Sequence, residues 1–229
     1  MQQYSDNRLF FRESKMAERR KSMSKDDELK LFLEYGVNPA IRRIILSSVT
    51  SDSEYGESGV DSDMWKRLAV GLTVLERWPV IEGQKEDIDI EMNNPGGDAY
   101  HMFGIYDRIR KSKYHITIEA YGYVMSAGSI IFQAADKRVI APNSTMLLHY
   151  GQDGFYGHSK DLQSHAKEAE RINRAMENIY LGRINSRRKA LGLKPWTRRD
   201  LERKMSFDWY ITPEEAVDIG LADEVAQYQ

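Results

Sequence analysis

Apolar residues alternate with polar ones in two stretches of the chain, residues 87–93 and residues 116–120, and this pattern is typical of strands. A third short apolar run, residues 43–47, predicts another strand before them. Between these strands, apolar residues recur at helical spacing: Met64, Leu68, Leu72 and Leu75, and then Ala99, Met102, Phe103, Tyr106 and Ile109. Strands that alternate with helices in this way predict a parallel sheet with right-handed crossovers, and therefore the α/β class.

The second half of the chain predicts two short strands, residues 138–141 and 145–149, followed by a long amphipathic helix over about residues 159–185. A short helix capped at Thr197 and a last helix from about Pro213 to Gly220 complete the pattern. The long helix carries an apolar stripe that one small sheet cannot cover along its whole length, so we expect another element or another subunit to pack on it. The stripe consists of Leu162, Ala166, Ala169, Ile172, Met176, Ile179 and Tyr180.

The N-terminal residues differ from the rest of the chain in composition. Residues 1–23 are polar and rich in charge, which is typical of an arm, and a capping residue at Ser24 with a stop at Gly36 predicts a short helix. We therefore divide the chain into an extension, residues 1–39, and one body, residues 40–229.

Composition narrows the function classes. The 229 residues are 41% hydrophobic and 30% charged with a net charge of −2, which is ordinary for a soluble domain and gives no reason to expect nucleic acid as a partner. There is no cysteine, so disulfides, thiolate catalysis and cysteine-bound zinc are excluded. We predict no metal and no cofactor. No apolar run reaches the roughly 20 residues that span a bilayer, so we expect a cytoplasmic protein without membrane contact.

Two predicted turns from strand to helix are the first candidates for chemistry. One lies at Ser126 and the other at residues 94–97, and each follows one of two neighbouring parallel strands. Both helix starts then lie at the carboxyl edge of the sheet, where α/β folds bind ligands. The N–H groups of Gly97 and Ala127 can converge there on one oxygen as an oxyanion hole. Taken alone, however, a serine at a helix start is far more often an ordinary N-cap.

A catalytic serine also needs a base and a carboxylate. His149 ends a predicted strand and so reaches the sheet edge, whereas His101, on the helix after the second turn, is a weaker candidate. For the carboxylate we prefer Asp208, because its aromatic neighbours predict burial beside an imidazole. Asp218 and Asp223 are alternatives, and spacing alone leaves this choice open.

Taken together, these motifs resemble the proteolytic subunits of the Clp protease, the ClpP-type serine peptidases. The resemblance covers roughly residues 40–225 and keeps the order of the family's motifs. They are the Asn-Asn-Pro-Gly-Gly turn of residues 93–97, the Met-Ser-Ala-Gly-Ser of residues 125–129, the Pro-Asn-Ser-Thr-Met-Leu-Leu-His of residues 142–149, the glycine segment of residues 151–157 with Asp161 and His165, and finally Asp208 and residues 215–223.

The resemblance implies the ClpP/crotonase-like fold, with repeated β-β-α and βαβ units and a protruding long helix in a handle-like region, residues 159–205. It implies a serine endopeptidase in which Ser126 is the nucleophile, His149 the general base and Asp208 its orienting partner. Gly97 and Ala127 then donate the oxyanion-hole N–H groups. The substrate backbone pairs as an added strand with the segment that begins Gly151, Gln152, Asp153, Gly154.

The resemblance also implies partners. We expect a homo-tetradecamer of two heptameric rings, or a mixed ring with a paralogue, acting on unfolded proteins or peptides, with an AAA+ Clp unfoldase as a further partner. Around the nucleophile, this chain has Met-Ser-Ala-Gly where the family usually has Ala-Ser-Met-Gly, a change that keeps the backbone donor at residue 127. The first forty residues do not match the family pattern, which bears on unfoldase docking more than on the triad.

Two alternatives use the same fold. A crotonase-type enzyme would hold an acyl-coenzyme A enolate with the same two N–H groups, but it needs acidic catalytic residues near them, and the sequence offers no such pair. A ring subunit without catalysis would have lost the triad, whereas Ser126, His149 and Asp208 are all present. A serine–lysine signal-peptide peptidase is a poor fit, because no membrane segment is predicted.

Overall fold

The computed structural model describes residues 24–47, 59–78, 80, 84–151 and 158–228. Within these ranges the helices are α1 (Lys25–Tyr35), α2 (Ser62–Arg77), α3 (Ala99–Arg110), α4 (Ala127–Phe132), α5 (Ser159–Ala190), α6 (Arg198–Lys204) and α7 (Pro213–Ile219). The strands are β1 (Val37–Asn38), β2 (Arg43–Leu46), β3 (Ile88–Asn94), β4 (Ile116–Met125), β5 (Lys137–Ile140), β6 (Thr145–Leu148), β7 (Trp209–Ile211) and β8 (Glu224–Val225). The arm predicted over residues 1–23 lies outside the described residues, and the division at residue 39 stays a prediction.

The strands form one mixed sheet in the order β1-β2-β3-β4-β5-β8, and β6 and β7 extend it from β4. The neighbours from β2 to β8 in this order are parallel, as the alternation of strands and helices predicted, whereas β1 runs antiparallel to β2. Strand β4 is ten residues long and has two partners on one side. Its first half pairs with β5 and its last residues, from Tyr123 to Met125, pair in parallel with β6.

The core lies between this sheet and the helices that follow its strands. Ile88, Ile90 and Met92 alternate into it from β3, and all three are buried. Helix α2 contributes the predicted stripe of Met64, Leu68, Leu72 and Leu75, which is also fully buried. Apolar residues that match the period of each element therefore account for the central layers, since burial of each such side chain stabilises the fold by about 1.5–3 kcal/mol.

The N-terminal helix begins and ends where the sequence predicted. The Ser24 side chain accepts a hydrogen bond from the Asp27 N–H, and Gly36 ends α1 in the left-handed conformation, with φ of 67°. A side chain at Gly36 would meet the Ile45 carbonyl oxygen at 2.5 Å, so glycine is also required for the close approach to β2.

Helix α5 is longer than predicted, with 32 residues, and its two halves differ in burial. The buried residues Met176, Glu177, Tyr180 and Ile184 all lie in the second half. In the first half, Leu162 of the apolar stripe is 52% exposed. One chain therefore leaves part of the stripe uncovered, as the sequence predicted.

A partly buried ion pair joins the C-terminal segment to β5. The Arg138 guanidinium donates to both carboxylate oxygens of Asp223, at 2.9 and 2.5 Å, and also to the Gln133 side chain and the Gly220 carbonyl. Burial alone would raise the pKa of Asp223, but the hydrogen bonds and charge of Arg138 lower it below its usual value.

Within the described ranges, no helix has the length and apolar character that crossing a membrane requires.

We predict that Asp223→Asn lowers the free energy of unfolding by about 2 kcal/mol at pH 7, because it leaves the Arg138 charge buried without its partner. The effect is smaller than for a fully buried pair, since the Asp223 side chain is 39% exposed. In the wild type, this contribution should be lost as pH falls below about 4, because a lowered pKa stabilises the fold only above the unfolded-state pKa. Denaturant unfolding at pH 7 and below pH 4 measures both effects.

The matched control is Glu224→Gln, which removes a neighbouring pair with Lys137 whose side chains are about half exposed. This variant should change the unfolding free energy by less than about 1 kcal/mol. Equal effects of the two substitutions would contradict the role given to the Arg138 pair.

Candidate active site

Ser126 occupies a strained turn between β4 and α4. Its backbone has φ of 50° and ψ of −123°, and its N–H donates to the Leu147 carbonyl of β6 at 2.9 Å. A non-glycine residue at such a positive φ is uncommon and costs about 1–3 kcal/mol. The side chain makes no capping hydrogen bond to α4. Its Oγ instead lies 2.7 Å from Nε2 of His149, so Ser126 does not act as an ordinary N-cap.

Glycines make this turn possible by letting the two strand ends approach. A side chain on Gly96, whose φ is 124°, would come within 2.8 Å of the Ser126 Cβ. A side chain on Gly128 would meet the Asn94 side-chain oxygen at 2.7 Å. Larger residues at either position would therefore push the 94–97 turn away from Ser126.

Strand register brings His149 and Asp208 together. In the antiparallel pair of β6 and β7, Leu148 lies opposite Trp209, so the next residues along, His149 and Asp208, also face each other. The His149 Nδ1 is 3.3 Å from the Asp208 carboxylate. In the tautomer that suits this geometry, Nδ1–H donates to Asp208 and Nε2 accepts from the Ser126 hydroxyl.

The predicted burial of Asp208 is wrong for the single chain. Its side chain is 51% exposed, whereas that of His149 is 22% exposed. The aromatic neighbours do not cover the carboxylate, because Phe207 is 85% exposed and Trp209 packs its ring on Trp196 with centroids 6.2 Å apart. An exposed carboxylate holds an imidazole less strongly than a buried one.

The directions of the Gly97 and Ala127 N–H groups follow from the hydrogen bonds that the preceding carbonyls, those of Gly96 and Ser126, accept. The Gly96 carbonyl accepts from the Val60 N–H at 2.7 Å, and the Ser126 carbonyl accepts from the Ser129 N–H at 3.0 Å. In a trans peptide the following N–H points opposite to the carbonyl, and there are no cis bonds among the described residues. Both N–H groups are thus directed away from these partners, and both belong to residues that follow the close contact of Gly96 with Ser126.

Sequence reasoning missed the buried groups that hold the two turns. The Asn94 side chain is fully buried, and its oxygen accepts from the Gly96 N–H at 3.0 Å. Behind Ser126, the Ser129 hydroxyl donates to the Ser126 carbonyl at 2.6 Å and bonds to the buried Tyr180 hydroxyl at 2.6 Å. Burial raises the pKa of Tyr180, so this hydroxyl keeps its proton. The sequence did contain a signal for the role of Asn94. An asparagine side chain before Pro-Gly-Gly often accepts a hydrogen bond from the backbone of its own turn.

A second, partly buried network supports the residue after His149. The Tyr150 hydroxyl donates to the Glu177 carboxylate of α5 at 2.7 Å, and Glu177 also pairs with Arg198 of α6. Burial and the hydrogen bond to Glu177 raise the pKa of Tyr150. The network ties β6, α5 and α6 together close to the candidate site.

A pocket of about 260 Å³ opens between the start of α3 and the first half of α5. Gly97 and Gly151 line it, so it adjoins both the 94–97 turn and the segment after His149. Among the other predicted substrate-binding residues, Gln152, Asp153 and Gly154 lie outside the described residues. His165 lines the pocket as well, whereas His101 donates its backbone N–H to the Asp98 side chain.

The other candidate carboxylate and the search for metal ligands leave Ser126, His149 and Asp208 as the candidate catalytic residues. Asp223, an alternative carboxylate in the sequence, pairs with Arg138 and not with a histidine. In the part of the chain that the structure describes, no group of three or more histidine, aspartate or glutamate side chains is arranged to hold a metal. The arrangement of a serine, a histidine and a carboxylate in series is instead suited to nucleophilic attack on a carbonyl carbon.

Comparisons with protein families, curated proteins and solved structures all point to Clp proteases. The model of the Clp protease family matches residues 57–229. Among curated proteins, the ATP-dependent Clp protease proteolytic subunit of Deinococcus radiodurans is 32% identical over 168 residues, which are 72% of this chain and 76% of that protein. Among solved structures, a point mutant of ClpP1 from Listeria monocytogenes is 20% identical, covers 83% of this chain and 94% of its own, and has a TM-score of 0.64. This last similarity establishes the ClpP/crotonase-like fold.

We predict that Asn94→Ala lowers the free energy of unfolding by about 2–3 kcal/mol, because the Gly96 N–H loses its acceptor in a buried turn. Asn93→Ala is the matched control: its side chain accepts from the Tyr123 N–H at 2.9 Å, but in an exposed setting. The control should lose about 1 kcal/mol or less. Chemical denaturation of the two variants measures the difference, and a larger loss for Asn93→Ala would contradict the role of Asn94.

Proposed function

The chain belongs to the Clp protease family, a family of peptidases, and we propose that it is a serine endopeptidase that hydrolyses peptide bonds in unfolded proteins or peptides. One observation carries this proposal: the Ser126 hydroxyl, the His149 imidazole and the Asp208 carboxylate stand in a hydrogen-bonded series, with distances of 2.7 and 3.3 Å. Each belongs to a different strand end, so the series depends on the fold and not on local sequence.

In the proposed reaction, the Ser126 oxygen attacks a peptide carbonyl carbon while His149 Nε2 takes the hydroxyl proton. Asp208 holds the imidazole in the required tautomer and stabilises its positive charge. The bond to the leaving amine then breaks as His149 returns the proton to the nitrogen. Water, activated by the same histidine, releases the acyl group from Ser126 and restores the enzyme.

Gly97 and Ala127 are the proposed donors to the oxyanion of the tetrahedral intermediate. The directions of their N–H groups, away from Val60 and Ser129, support this role. One such donor contributes about 3 kcal/mol of transition-state stabilisation in other enzymes. The strained φ of Ser126 is consistent with a backbone held ready before substrate binds.

We further propose that the substrate backbone pairs as an added strand with the segment Gly151, Gln152, Asp153 and Gly154. Gly151 is exposed and lines the pocket beside the 94–97 turn, which supports its place there. Recognition through backbone groups favours extended, unfolded substrates and gives weak sequence preference. We also propose that residues 159–205 form the handle-like region of this family.

The proposed assembly is a homo-tetradecamer of two heptameric rings, or a mixed ring with a paralogue, and an AAA+ Clp unfoldase is the proposed partner. The uncovered stripe in the first half of α5 supports assembly, because exposed apolar surface of this kind is usually buried by a neighbour. The family match and the contact between Ser126 and His149 both favour peptide hydrolysis over a crotonase-type reaction or a subunit without catalysis.

Ser126→Ala should lower kcat for a fluorogenic peptide by at least about 10³-fold with KM nearly unchanged, because it removes the nucleophile and leaves the groups that bind substrate in place. Asp208→Asn should lower kcat by at least about 10²-fold, because His149 loses the group that holds its tautomer and stabilises its positive charge. The matched control is Ser206→Ala, an exposed serine near Asp208 whose hydroxyl donates to the Arg203 carbonyl in its own turn. Full activity of folded Ser126→Ala would contradict the proposal.

The full-length chain should sediment with about fourteen times its monomer mass of 26.5 kDa if the ring proposal is right. Leu162→Glu, which places a charge on the uncovered stripe of α5, should shift the protein to smaller species that remain folded. Lys160→Gln, in the same exposed turn, is the control and should leave the mass unchanged. Analytical ultracentrifugation makes the measurement, and a wild-type monomer would contradict the proposed assembly.

A further inference from the structure

A second pocket, of about 310 Å³, lies between the last turns of α5, the end of α7 and the start of β5. It shares no lining residue with the pocket beside the candidate active site. Its polar lining consists mainly of Arg138, Arg183, Arg187, Ser186 and Asp223. Three arginines and one aspartate thus line a single concave space.

The charges in this pocket do not balance. Arg138 and Asp223 neutralise each other, because the guanidinium binds both carboxylate oxygens. Arg183 and Arg187 then remain as two positive charges. They are four residues apart on one helix, a spacing at which like charges repel and destabilise the helix.

Arg183 is held in place by neutral groups only. Its Nε and Nη2 donate to the Gln133 carbonyl, and Nη2 also donates to the Ala135 carbonyl at 2.7 Å. Among the described residues, no carboxylate forms an ion pair with it, and its Nη1 is left for another acceptor. Burial, and after it the nearby charge of Arg138, lowers the pKa of Arg183.

Arg187 lies at the rim of the pocket. A side chain on Gly220 would come within 2.3 Å of the Arg187 Cβ. The glycine that ends α7 therefore leaves space for the aliphatic part of the Arg187 side chain. Within the described part of the chain, the Arg187 guanidinium has no hydrogen bond or ion pair. By contrast, Arg171 and Arg174 in the first half of α5 pair with Glu168 and Glu170.

A favourable interaction with the helix dipole explains only part of this arrangement. Arg187 lies in the last turn of α5, where a positive charge stabilises a helix by about 0.3–1 kcal/mol. Arg183 lies one turn earlier and is half-buried, so the dipole does not account for it. A bound anion would offset the repulsion between both residues.

We propose that this pocket binds a small dianion, a phosphate or a phosphate monoester, between Arg183 and Arg187. Two unpaired guanidinium groups match the charge of a phosphate monoester, which is about −1.5 to −2 at neutral pH. Arg187 can present the planar fork that suits phosphate oxygens, Arg183 has its Nη1 available, and Ser186 lines the same pocket. The volume exceeds that of phosphate itself and leaves room for a small organic group.

Isothermal titration of inorganic phosphate into the full-length Ser126→Ala chain, at constant ionic strength and pH 7.5, tests the proposal without any dependence on peptidase activity. We expect saturable binding with one site per chain. Arg187→Gln and Arg183→Gln should each weaken it at least tenfold. The matched control is Arg174→Gln, an exposed arginine of the same helix with its own acidic partner, which should change the affinity less than twofold. Unfolding curves verify that each variant is folded.

A parallel titration with glycerol phosphate distinguishes the two sources of the phosphate group. Tighter binding of the ester assigns the site to an organic phosphate, and equal binding assigns it to the free ion; both results support a phosphate site. Absence of saturable binding to the folded chain would overturn the proposal. Equal weakening by Arg187→Gln and Arg174→Gln would also overturn it, because it would indicate diffuse charge attraction. A third result would also overturn the proposal: the parent chain binds no phosphate, and Arg187→Gln sediments as a smaller assembly than the parent chain. The pocket would then be a contact between subunits.

Discussion

The hydrogen bond from the Ser126 N–H to the Leu147 carbonyl fixes where β4 ends relative to β6, and the candidate site depends on it. Strand β4 pairs with β5 first and with β6 afterwards, so its last residue must stop beside the end of β6. His149 follows that end directly. The antiparallel register of β6 with β7 then sets Asp208 opposite His149. Three strand pairings thus bring the three side chains together.

This arrangement requires close backbone contact that only certain residues permit. Ser126 has an unfavourable positive φ, and Gly96 and Gly128 leave space that any side chain would fill. Buried polar groups offset that strain: Asn94 binds the turn in front of Ser126, and Ser129 with Tyr180 binds the carbonyl behind it. Such groups are effective in a low-dielectric interior because their hydrogen bonds are stronger there than in water. The same rigidity would hold the proposed oxyanion donors in place before substrate arrives.

Much of this fold follows from the sequence pattern, because the core strands and helices have strong periodicity and clear caps. Helices α1, α2, α6 and α7 begin close to the predicted positions. The two- and three-residue strands β1, β7 and β8 were missed, since so few residues show no alternation. Missing β7 also explains the error about Asp208: its position comes from register with β6, whereas its exposure depends on neighbours such as Phe207 that do not fold over it. The role of Tyr180 depends on a tertiary contact that a single sequence does not reveal, whereas Asn94 bonds within its own turn.

The most direct test of the central claim is labelling with a fluorophosphonate, which reacts only with an activated serine. Intact-mass spectrometry at neutral pH would compare the wild type with Ser126→Ala and His149→Ala. A serine activated through His149 predicts one adduct per wild-type chain and none on either variant. No adduct on well-folded wild-type protein, or equal labelling of Ser126→Ala, would contradict the account.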